Sequence, residues 1–144
     1  MNIAIQSIAK ALIINDRNEA LILRLSEHRS RPENSFKSDL PGGIVDTGES
    51  ERMAAIREIF EETGLTIEPS AVALVYSATA YYEATKNSVT KQLYIIRLDS
   101  TPEISLSWEH QSFEWVPLGV LSDAVPLAGF YKSAIEYCFK HDII

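Results

Sequence analysis

The chain has little cysteine, little positive charge and no long apolar run. Its single cysteine, Cys138, excludes a disulfide within the chain and is typical of a reducing compartment. The 13 Lys and Arg residues are outnumbered by 20 Asp and Glu residues, and the formal net charge of −7 disfavours general binding to nucleic-acid backbones. No apolar run is long enough to span a membrane. We therefore expect a cytoplasmic protein without a membrane or nucleic-acid partner.

The apolar N-terminal segment lacks the marks of a signal peptide. Lys10 interrupts it, and neither a basic head nor a small-residue cleavage site accompanies it. We interpret this segment as a buried strand. With 144 residues, 46% of them apolar, the chain has enough material for a single domain with its own core, covering residues 1–144.

Apolar patterning and turn residues divide the domain into strands and two helices. A turn at Asn15 to Asn18 predicts an N-terminal hairpin, and a polar loop from Ser26 to Asp39 follows it. A closing amphipathic helix is predicted from Ala128 to His141. The predicted strands are Ile3–Ile14, Ala20–Leu25, Ala71–Ala80, Lys91–Leu98 and Phe113–Val116, with a polar connector at Glu83–Ser88. This order predicts an α+β fold or a mixed α/β/α sandwich rather than a regular β-α-β alternation.

Three glutamates at i, i+3 and i+4 stand in a segment with helical periodicity. Glu58, Glu61 and Glu62 therefore lie on one side of a helix and repel one another unless something positive sits among them. Carboxylate oxygens at this density suit Mg²⁺ or Mn²⁺, particularly when substrate phosphates complete the coordination shell. We expect the acidic side to face a cleft. The apolar stripe expected to anchor the opposite side in the core consists of Met53, Ile56, Ile59 and Phe60.

Residues on either side of the glutamates predict where this helix begins and ends. Ser50 suits the N-cap, and Gly64 suits the position that follows the last turn. Upstream, Pro41-Gly42-Gly43 leaves the backbone without side chains that would obstruct the close approach of a ligand or metal.

The segment from Gly43 to Leu65 resembles the signature of the Nudix hydrolase family. That signature is a glycine, five residues, a glutamate, seven residues and then Arg-Glu-apolar-x-Glu-Glu-x-Gly-apolar. A chance match is on the order of 10⁻⁷ at average residue frequencies. The segment agrees at every signature position, which are Gly43, Glu49, Arg57, Glu58, Ile59, Glu61, Glu62, Gly64 and Leu65.

The resemblance implies a mixed α/β/α sandwich, in which helices flank a mixed sheet. It also implies metal-dependent hydrolysis of a pyrophosphate bond in a small nucleoside diphosphate derivative. The implied cofactor is Mg²⁺ (or Mn²⁺). It would be held by Glu58, Glu61 and Glu62, which we call the box glutamates after the signature segment (the box) that contains them, with the Gly42 carbonyl as a further oxygen. Many relatives pair as dimers, so a homodimer is one option for this chain.

Catalytic roles are expected for Glu61, Arg57 and Glu109. Arg57 is spaced to orient the carboxylates by contacting Glu61, and it can equally pair with Glu49. The general base is not determined by the box, and Glu109 resembles the later-loop glutamate that serves in some relatives. Glu114 and His110 are the neighbouring alternatives.

Substrate recognition is predicted on the residues before the box and on one tyrosine after it. Arg24 and Lys37 offer positive charge for phosphates, and Gly43 allows close approach. Tyr81 and Tyr82 both fall where a tyrosine marks the diadenosine-polyphosphate branch, while Ser38 departs from the aromatic often found three residues before Pro-Gly-Gly. The aromatic candidates for stacking on a base are Phe36, Tyr81, Tyr82 and Trp108. Nucleoside triphosphates, nucleotide sugars and dinucleoside polyphosphates all stay open as substrates.

Three other functions are compatible with the same scaffold. The principal alternative is a nucleotide-binding or regulatory module without turnover. An isomerase like the isopentenyl-diphosphate relatives would need a reactive cysteine, whereas Cys138 lies in the closing helix, where a buried apolar role is expected. RNA decapping is disfavoured by the acidic charge balance.

Overall fold

The chain alternates strands with three helices, and a computed structural model describes residues 3–127 and 129–144 of it. The strands are β1 (Ala4–Ile14), β2 (Glu19–Leu25), β3 (Ser38–Asp39), β4 (Gly42–Ile44), β5 (Ala73–Tyr82), β6 (Asn87–Arg97) and β7 (His110–Pro117). The helices are α1 (Glu51–Thr63), α2 (Leu121–Ala124) and α3 (Gly129–Lys140). Short 3₁₀ turns lie at Pro32–Asn34, Pro69–Ala71 and Leu118–Val120.

The two N-terminal strands diverge, and this divergence shapes the molecule. β1 and β2 share the single register pair Ile14↔Ala20 next to their turn. β1 then runs parallel to β6 along its whole length, while β2 pairs with β7. The predicted hairpin therefore exists only at its turn. Each strand finds a distant partner, because both are buried and must satisfy their remaining backbone groups.

Residues 38–44 fill the space that opens between the diverging strands. In this wedge segment, β3 pairs with β2 and β4 pairs with β1. Between them, the Pro41 carbonyl accepts a hydrogen bond from the Ala11 amide at 2.9 Å. A Cβ on Gly42 would lie 2.3 Å from the Ala9 carbonyl oxygen, and the φ of Gly42 is +129°, so only glycine fits here.

The core has two parts, one on each face of the sheet. On one face, Leu12, Leu93 and Ile95 pack with Ala134, Ile135 and Cys138 of α3. On the other, Ile13, Leu21 and Ile96 pack with Ala55 and Ile59 of α1. The α+β sandwich, with a mixed sheet between helices, is confirmed.

The buried face of α1 differs from the predicted apolar stripe. Ile59 is fully buried, but Met53 and Phe60 are 47% and 57% exposed, so their predicted core role is wrong. The helix instead buries Ala54 and Ala55 with Ile59, Glu62 and Thr63. The two alanines allow close approach to the sheet, and a stripe chosen by side-chain size alone overlooks them.

Other differences from the predicted elements concern boundaries and very short strands. β5 begins and ends two residues later than predicted, and β6 begins within the predicted connector. β3, β4 and α2 were not predicted, because segments of two to four residues carry no readable periodicity. Ala128, where the closing helix was predicted to begin, lies outside the described residues. Within residues 3–127 and 129–144, no helix combines the length and apolar character needed to cross a membrane.

Candidate active site

Caps at both ends place α1 against the wedge segment. The Ser50 hydroxyl accepts a hydrogen bond from the Met53 amide, and Gly64 closes the helix in a left-handed conformation with φ of 75°. Both predicted caps are confirmed. The helix then runs alongside β4, where a Cβ on Gly43 would lie 2.7 Å from Cδ of Glu58. Glycine is therefore needed at position 43 because the Glu58 carboxylate occupies the space of a side chain.

Arg57 holds the carboxylates of the site in one network. Its Nε donates to Glu49 at 2.8 Å, and its Nη1 lies 3.1 Å from Glu58 and 3.3 Å from Glu61. Nη2 also donates to the Ile44 carbonyl at 3.2 Å, which ties the guanidinium to the end of β4. Both predicted partners, Glu49 and Glu61, are thus in contact with Arg57. The Glu49 hydrogen bond raises the pKa of Arg57 and lowers that of Glu49, so this pair stays charged.

The three box glutamates differ in environment. The side chain of Glu61 is 53% exposed, whereas that of Glu58 is 18% exposed and Glu62 is almost completely buried. Burial raises the pKa of Glu58, and the charges of Glu61 and Glu109 raise it further against the opposing effect of Arg57. Burial also raises the pKa of Glu62, from 4.5 to about 8. The three carboxylates, which were expected to face a cleft together, therefore differ in exposure: Glu61 lies at the solvent and Glu62 in the interior.

Glu62 is engaged from two sides inside the protein. Its Oε1 accepts a hydrogen bond from the Gly42 amide at 2.8 Å, which draws the backbone of Gly42 towards the glutamates. Its Oε2 lies 3.6 Å from Nδ1 of His110. The Nε2 atom of His110 lies 3.0 Å from Asp39, and Asp39 also contacts the Lys10 ammonium group.

Asp39 is the ionised member of this buried group. Burial opposes its ionisation, but the hydrogen bond with His110 and the charge of Lys10 outweigh that penalty and lower its pKa. Lys10 faces away from solvent in a strand, and a buried ammonium group needs such a partner. Lys10 and Asp39 were not predicted as site residues, although a lysine inside an apolar strand is itself a signal of an acidic partner.

The loop that carries Glu109 is attached to the end of α1. The amides of Ser105 and Ser107 donate to the Thr63 and Glu62 carbonyls at 2.9 and 3.3 Å, and the Glu109 carbonyl accepts from the Ser26 amide. Glu109 is exposed and close enough to raise the pKa of Glu58. The attachment of this loop to α1 thus keeps Glu109 within electrostatic range of Glu58.

Neither of the two alternatives to Glu109 is an exposed group beside the box glutamates. Glu114 is within β7, opposite Ile22 of β2, and lines a surface pocket with Arg24 and Ser112. His110 is buried, with a side chain 1% exposed, so it has no access to a water molecule in an open cleft.

Arg24 and Lys37 line a cavity of about 490 Å³ between the wedge segment and the start of α3. Phe36, Ser38, Pro126 and Leu127 complete its wall. The Arg24 guanidinium donates to the Phe36 carbonyl at 2.8 Å and so also holds the loop in place. Phe36 is 48% exposed and has a φ of 63°, a conformation that non-glycine residues adopt only when neighbouring contacts enforce it.

Tyr81 lies apart from the glutamates in this arrangement. It belongs to the edge strand β5 and is separated from Gly43 by β1 and β6, a span of roughly 14 Å at ordinary strand spacing. Tyr81 and Tyr82 are 49% and 48% exposed, and Trp108 is 87% exposed. Stacking on a substrate stays a prediction for these three rings.

A family model described as the NUDIX domain matches residues 5–138. The chain belongs to the Nudix family. The match extends from β1 into α3, so it includes the strands and the helix that lie outside the box.

Relatives of this Nudix protein include two bis(5'-nucleosyl)-tetraphosphatases (asymmetrical). The protein from Caenorhabditis elegans is 34% identical over 62% of this chain and 63% of its own length. The protein from Rattus norvegicus is 35% identical over 62% of this chain and 60% of its own length. The matched regions thus span less than two thirds of both relatives.

Solved structures resemble the whole chain. A MutT protein from Methanosarcina mazei Go1 superposes with a TM-score of 0.80 at 28% identity, covering 99% of this chain and 98% of that one. An Ap4A hydrolase from C. elegans superposes with a TM-score of 0.71 at 25% identity, covering 96% and 97%.

The donor set of this Nudix site fits a divalent cation. Glu58, Glu61 and Glu62 provide hard oxygen ligands on one helix, and the absence of a side chain at Gly43 lets the Glu58 carboxylate lie against the backbone of the wedge segment. Asp39, Glu62 and His110 also have ligand atoms within 4.8 Å of one another. In that second group, however, Lys10 already supplies a positive charge to Asp39, so the box glutamates are the better cation site.

Cys138 has the environment expected of a structural residue. It is fully buried in α3, and burial raises the pKa of its thiol. This environment disfavours a reactive thiolate.

Proposed function

We propose that this Nudix protein is a divalent-cation-dependent pyrophosphohydrolase acting on a small nucleoside diphosphate derivative. The observation that carries the proposal is the approach of two box glutamates to the wedge segment, Glu62 to the Gly42 amide and Glu58 to Gly43, while Arg57 links Glu58 to Glu61. Hydrolysis of a phosphoanhydride is opposed by negative charge on both phosphates. A site that concentrates carboxylates beside an open backbone suits that chemistry, because those carboxylates recruit a cation.

Glu58, Glu61, Glu62 and the Gly42 carbonyl would hold the cation, with Mg²⁺ or Mn²⁺ proposed from the oxygen ligands. When bound, such an ion neutralises phosphate charge and makes water a better nucleophile. Arg57 keeps Glu58 and Glu61 oriented through its contacts at 3.1 and 3.3 Å.

Glu109 is the proposed general base. It lies near Glu58 on an exposed turn, and the loop that carries it is hydrogen-bonded to the C-terminal end of α1. In this role Glu109 accepts a proton from the attacking water, and the electron pair of the broken P–O bond leaves with the departing phosphate. Its exposure leaves the side chain free to reach that water.

A dinucleoside polyphosphate is the proposed substrate. The relatives named as bis(5'-nucleosyl)-tetraphosphatases support this choice over a nucleotide sugar. The cavity lined by Arg24, Lys37 and Phe36 supports it as well, since it places two cations beside an exposed aromatic ring. We propose that the cations contact phosphates and that the ring packs on a base. The cytoplasmic location and the homodimer stay predictions from the sequence.

The test is a chromatographic product assay on a panel of nucleoside triphosphates, nucleotide sugars and dinucleoside polyphosphates, with and without Mg²⁺ or Mn²⁺. We expect turnover only with the cation and fastest with a dinucleoside polyphosphate. Glu61→Gln and Glu62→Gln should lower kcat by at least about 100-fold, because the cation supplies several kcal/mol of transition-state stabilisation. The matched control is Glu68→Gln, an exposed glutamate beyond the end of α1.

Rates of wild type equal to those of Glu61→Gln and Glu62→Gln on every substrate would refute a hydrolase. Saturable nucleotide binding without any product would instead identify a nucleotide-binding module.

A further inference from the structure

Four side chains from four elements form a buried polar column behind the carboxylates. Lys10 of β1 contacts Asp39 of β3, Asp39 contacts His110 of β7, and His110 faces Glu62 of α1. The side chains of His110 and Glu62 are 1% and 3% exposed, and those of Lys10 and Asp39 are 15% and 16% exposed. Polar groups buried to this degree are costly unless each has a partner, so the column is a built feature of the fold.

The column contains a completely buried nitrogen atom without a hydrogen bond. Among the described residues, Nδ1 of His110 is buried and has no hydrogen-bond partner. It points at Oε2 of Glu62 from 3.6 Å, slightly beyond hydrogen-bond distance. The other ring nitrogen lies 3.0 Å from Asp39, so the ring cannot turn away without losing that contact.

The opposite oxygen of Glu62 is held by the backbone. The Gly42 amide donates to Oε1 at 2.8 Å. The carboxylate thus lies between a backbone donor and an imidazole edge, and both limit its rotation. A carboxylate that is restrained from both sides before a cation arrives loses less conformational entropy when it binds one.

We propose that His110, held in place by Asp39 and Lys10, is a positioning residue that orients the Glu62 carboxylate for the divalent cation; this inference rests on the proposed function. His110 does not coordinate the ion itself. Its ring lies between the carboxylates of Asp39 and Glu62, and Lys10 neutralises the charge of Asp39.

The experiment measures Mn²⁺ affinity by EPR titration without nucleotide, on wild type and three substitutions of His110. His110→Asn keeps an amide close to the position of Nδ1, His110→Gln keeps one close to Nε2, and His110→Phe keeps neither. Partners that orient metal ligands typically contribute 10- to 100-fold in metal affinity. We therefore expect Mn²⁺ affinity to fall by about 10- to 100-fold in His110→Phe and His110→Gln, and by less than about tenfold in His110→Asn. Asp39→Asn, a milder change at a less buried position, should also weaken binding measurably.

A control separates positioning from general destabilisation. Asn15→Ala removes a buried amide whose hydrogen bonds go to Arg17 and Glu19 of the β1–β2 turn rather than to the column, and it should lower the melting temperature without changing Mn²⁺ affinity. Pulsed EPR of the Mn²⁺ complex should show no directly coordinated nitrogen.

Two results would overturn the inference while leaving the proposed function intact. One is wild-type Mn²⁺ affinity in folded His110→Phe and Asp39→Asn alongside a large loss in Glu62→Gln. The other is a nitrogen ligand on Mn²⁺, which would make His110 a ligand. If wild type itself bound no Mn²⁺ in a glutamate-dependent manner, the proposed function would fail first.

Discussion

At the scale of single residues, the two glycines of the wedge segment act through the side chains they lack. Gly42 allows the backbone to pass β1, where a Cβ would meet the Ala9 carbonyl at 2.3 Å. Gly43 has a different reason, because its missing Cβ leaves space for the end of the Glu58 side chain. A flexible side chain can move away, whereas backbone cannot. The two positions should therefore respond differently to substitution.

Gly43→Ala should damage the site more than the fold. The added methyl group would lie 3.0 Å from both Glu58 oxygens and displace them, and a misplacement of about 1 Å can cost 100-fold in rate. We expect kcat to fall by about 10- to 100-fold with little change in the urea midpoint. Gly119→Ala is the control, since a Cβ there meets nothing within 4 Å. Wild-type kcat in Gly43→Ala would show that Glu58 needs no fixed position.

Sequence patterns identified the residues that carry charge in a local motif and overlooked those that meet across the fold. Helical spacing placed the box glutamates and the contact of Arg57 with Glu61, whereas the contact of Arg57 with Glu49, which precedes the helix, was implied by the family resemblance. The contact between Asp39 and His110 joins residues from β3 and β7, and no local spacing relates them. The polar column could not be predicted for that reason, although Lys10 was visible as an interruption in an apolar strand.

At the scale of elements, α1 is held by caps as much as by its buried face. Its N-cap was readable because Ser50 has a local partner, the Met53 amide. Its buried face was predicted only in part. The pattern favoured the larger Met53 and Phe60 and overlooked Ala54 and Ala55, which are small. Which face is buried depends on how closely a helix can approach a sheet, and that is a property of the packed molecule.

Ser50→Ala should lower the free energy of unfolding by about 1 kcal/mol, because the amide at Met53 loses its acceptor. Urea denaturation followed by circular dichroism would measure it. Ser122→Ala, an exposed serine in α2, should stay within about 0.5 kcal/mol of wild type. Equal effects of the two substitutions would contradict a capping role.

At the scale of the whole molecule, the fold class and most strands were predictable, and the pairing of those strands was not. Apolar runs identified β1 and β2, but the turn between them suggested a hairpin where the structure has one shared pair. The partners of β1 and β2 come from β6 and β7, late in the chain. Such pairings depend on which faces must be buried together, and the sequence of a single strand does not specify them.

Stability should depend on pH and on the cation together. The pKa of Glu62 is about 8 in the folded state against 4.5 ordinarily. The contribution of Glu62 to the free energy of unfolding is therefore fully present below about pH 4.5 and is lost as pH rises through 8. Because the pKa of Asp39 is lowered, its contribution to the free energy of unfolding is present above about pH 3.8 and is lost only at lower pH. In chelator, we expect the free energy of unfolding to fall between pH 5 and 8 in wild type, and to fall less in Glu62→Gln.

Divalent cation should reverse that loss by binding the folded state. Mn²⁺ at 100 times its Kd should add about 2.7 kcal/mol at pH 8. Urea denaturation at each pH, with Glu68→Gln as the matched control, would measure both effects. A pH profile of Glu62→Gln identical to that of wild type would show that Glu62 is not the titrating group.

Backbone hydrogen bonds close the base of the loop that precedes β3. The Leu25 amide donates to the Lys37 carbonyl and the Phe36 amide to the Leu25 carbonyl, which closes residues 26–35 into a projection whose base cannot shift. An insertion there would lengthen the projection at small entropic cost and leave β3 and β4 where they are. Changes of length or sequence within residues 26–35 should therefore leave Gly43 and the glutamates of α1 in place.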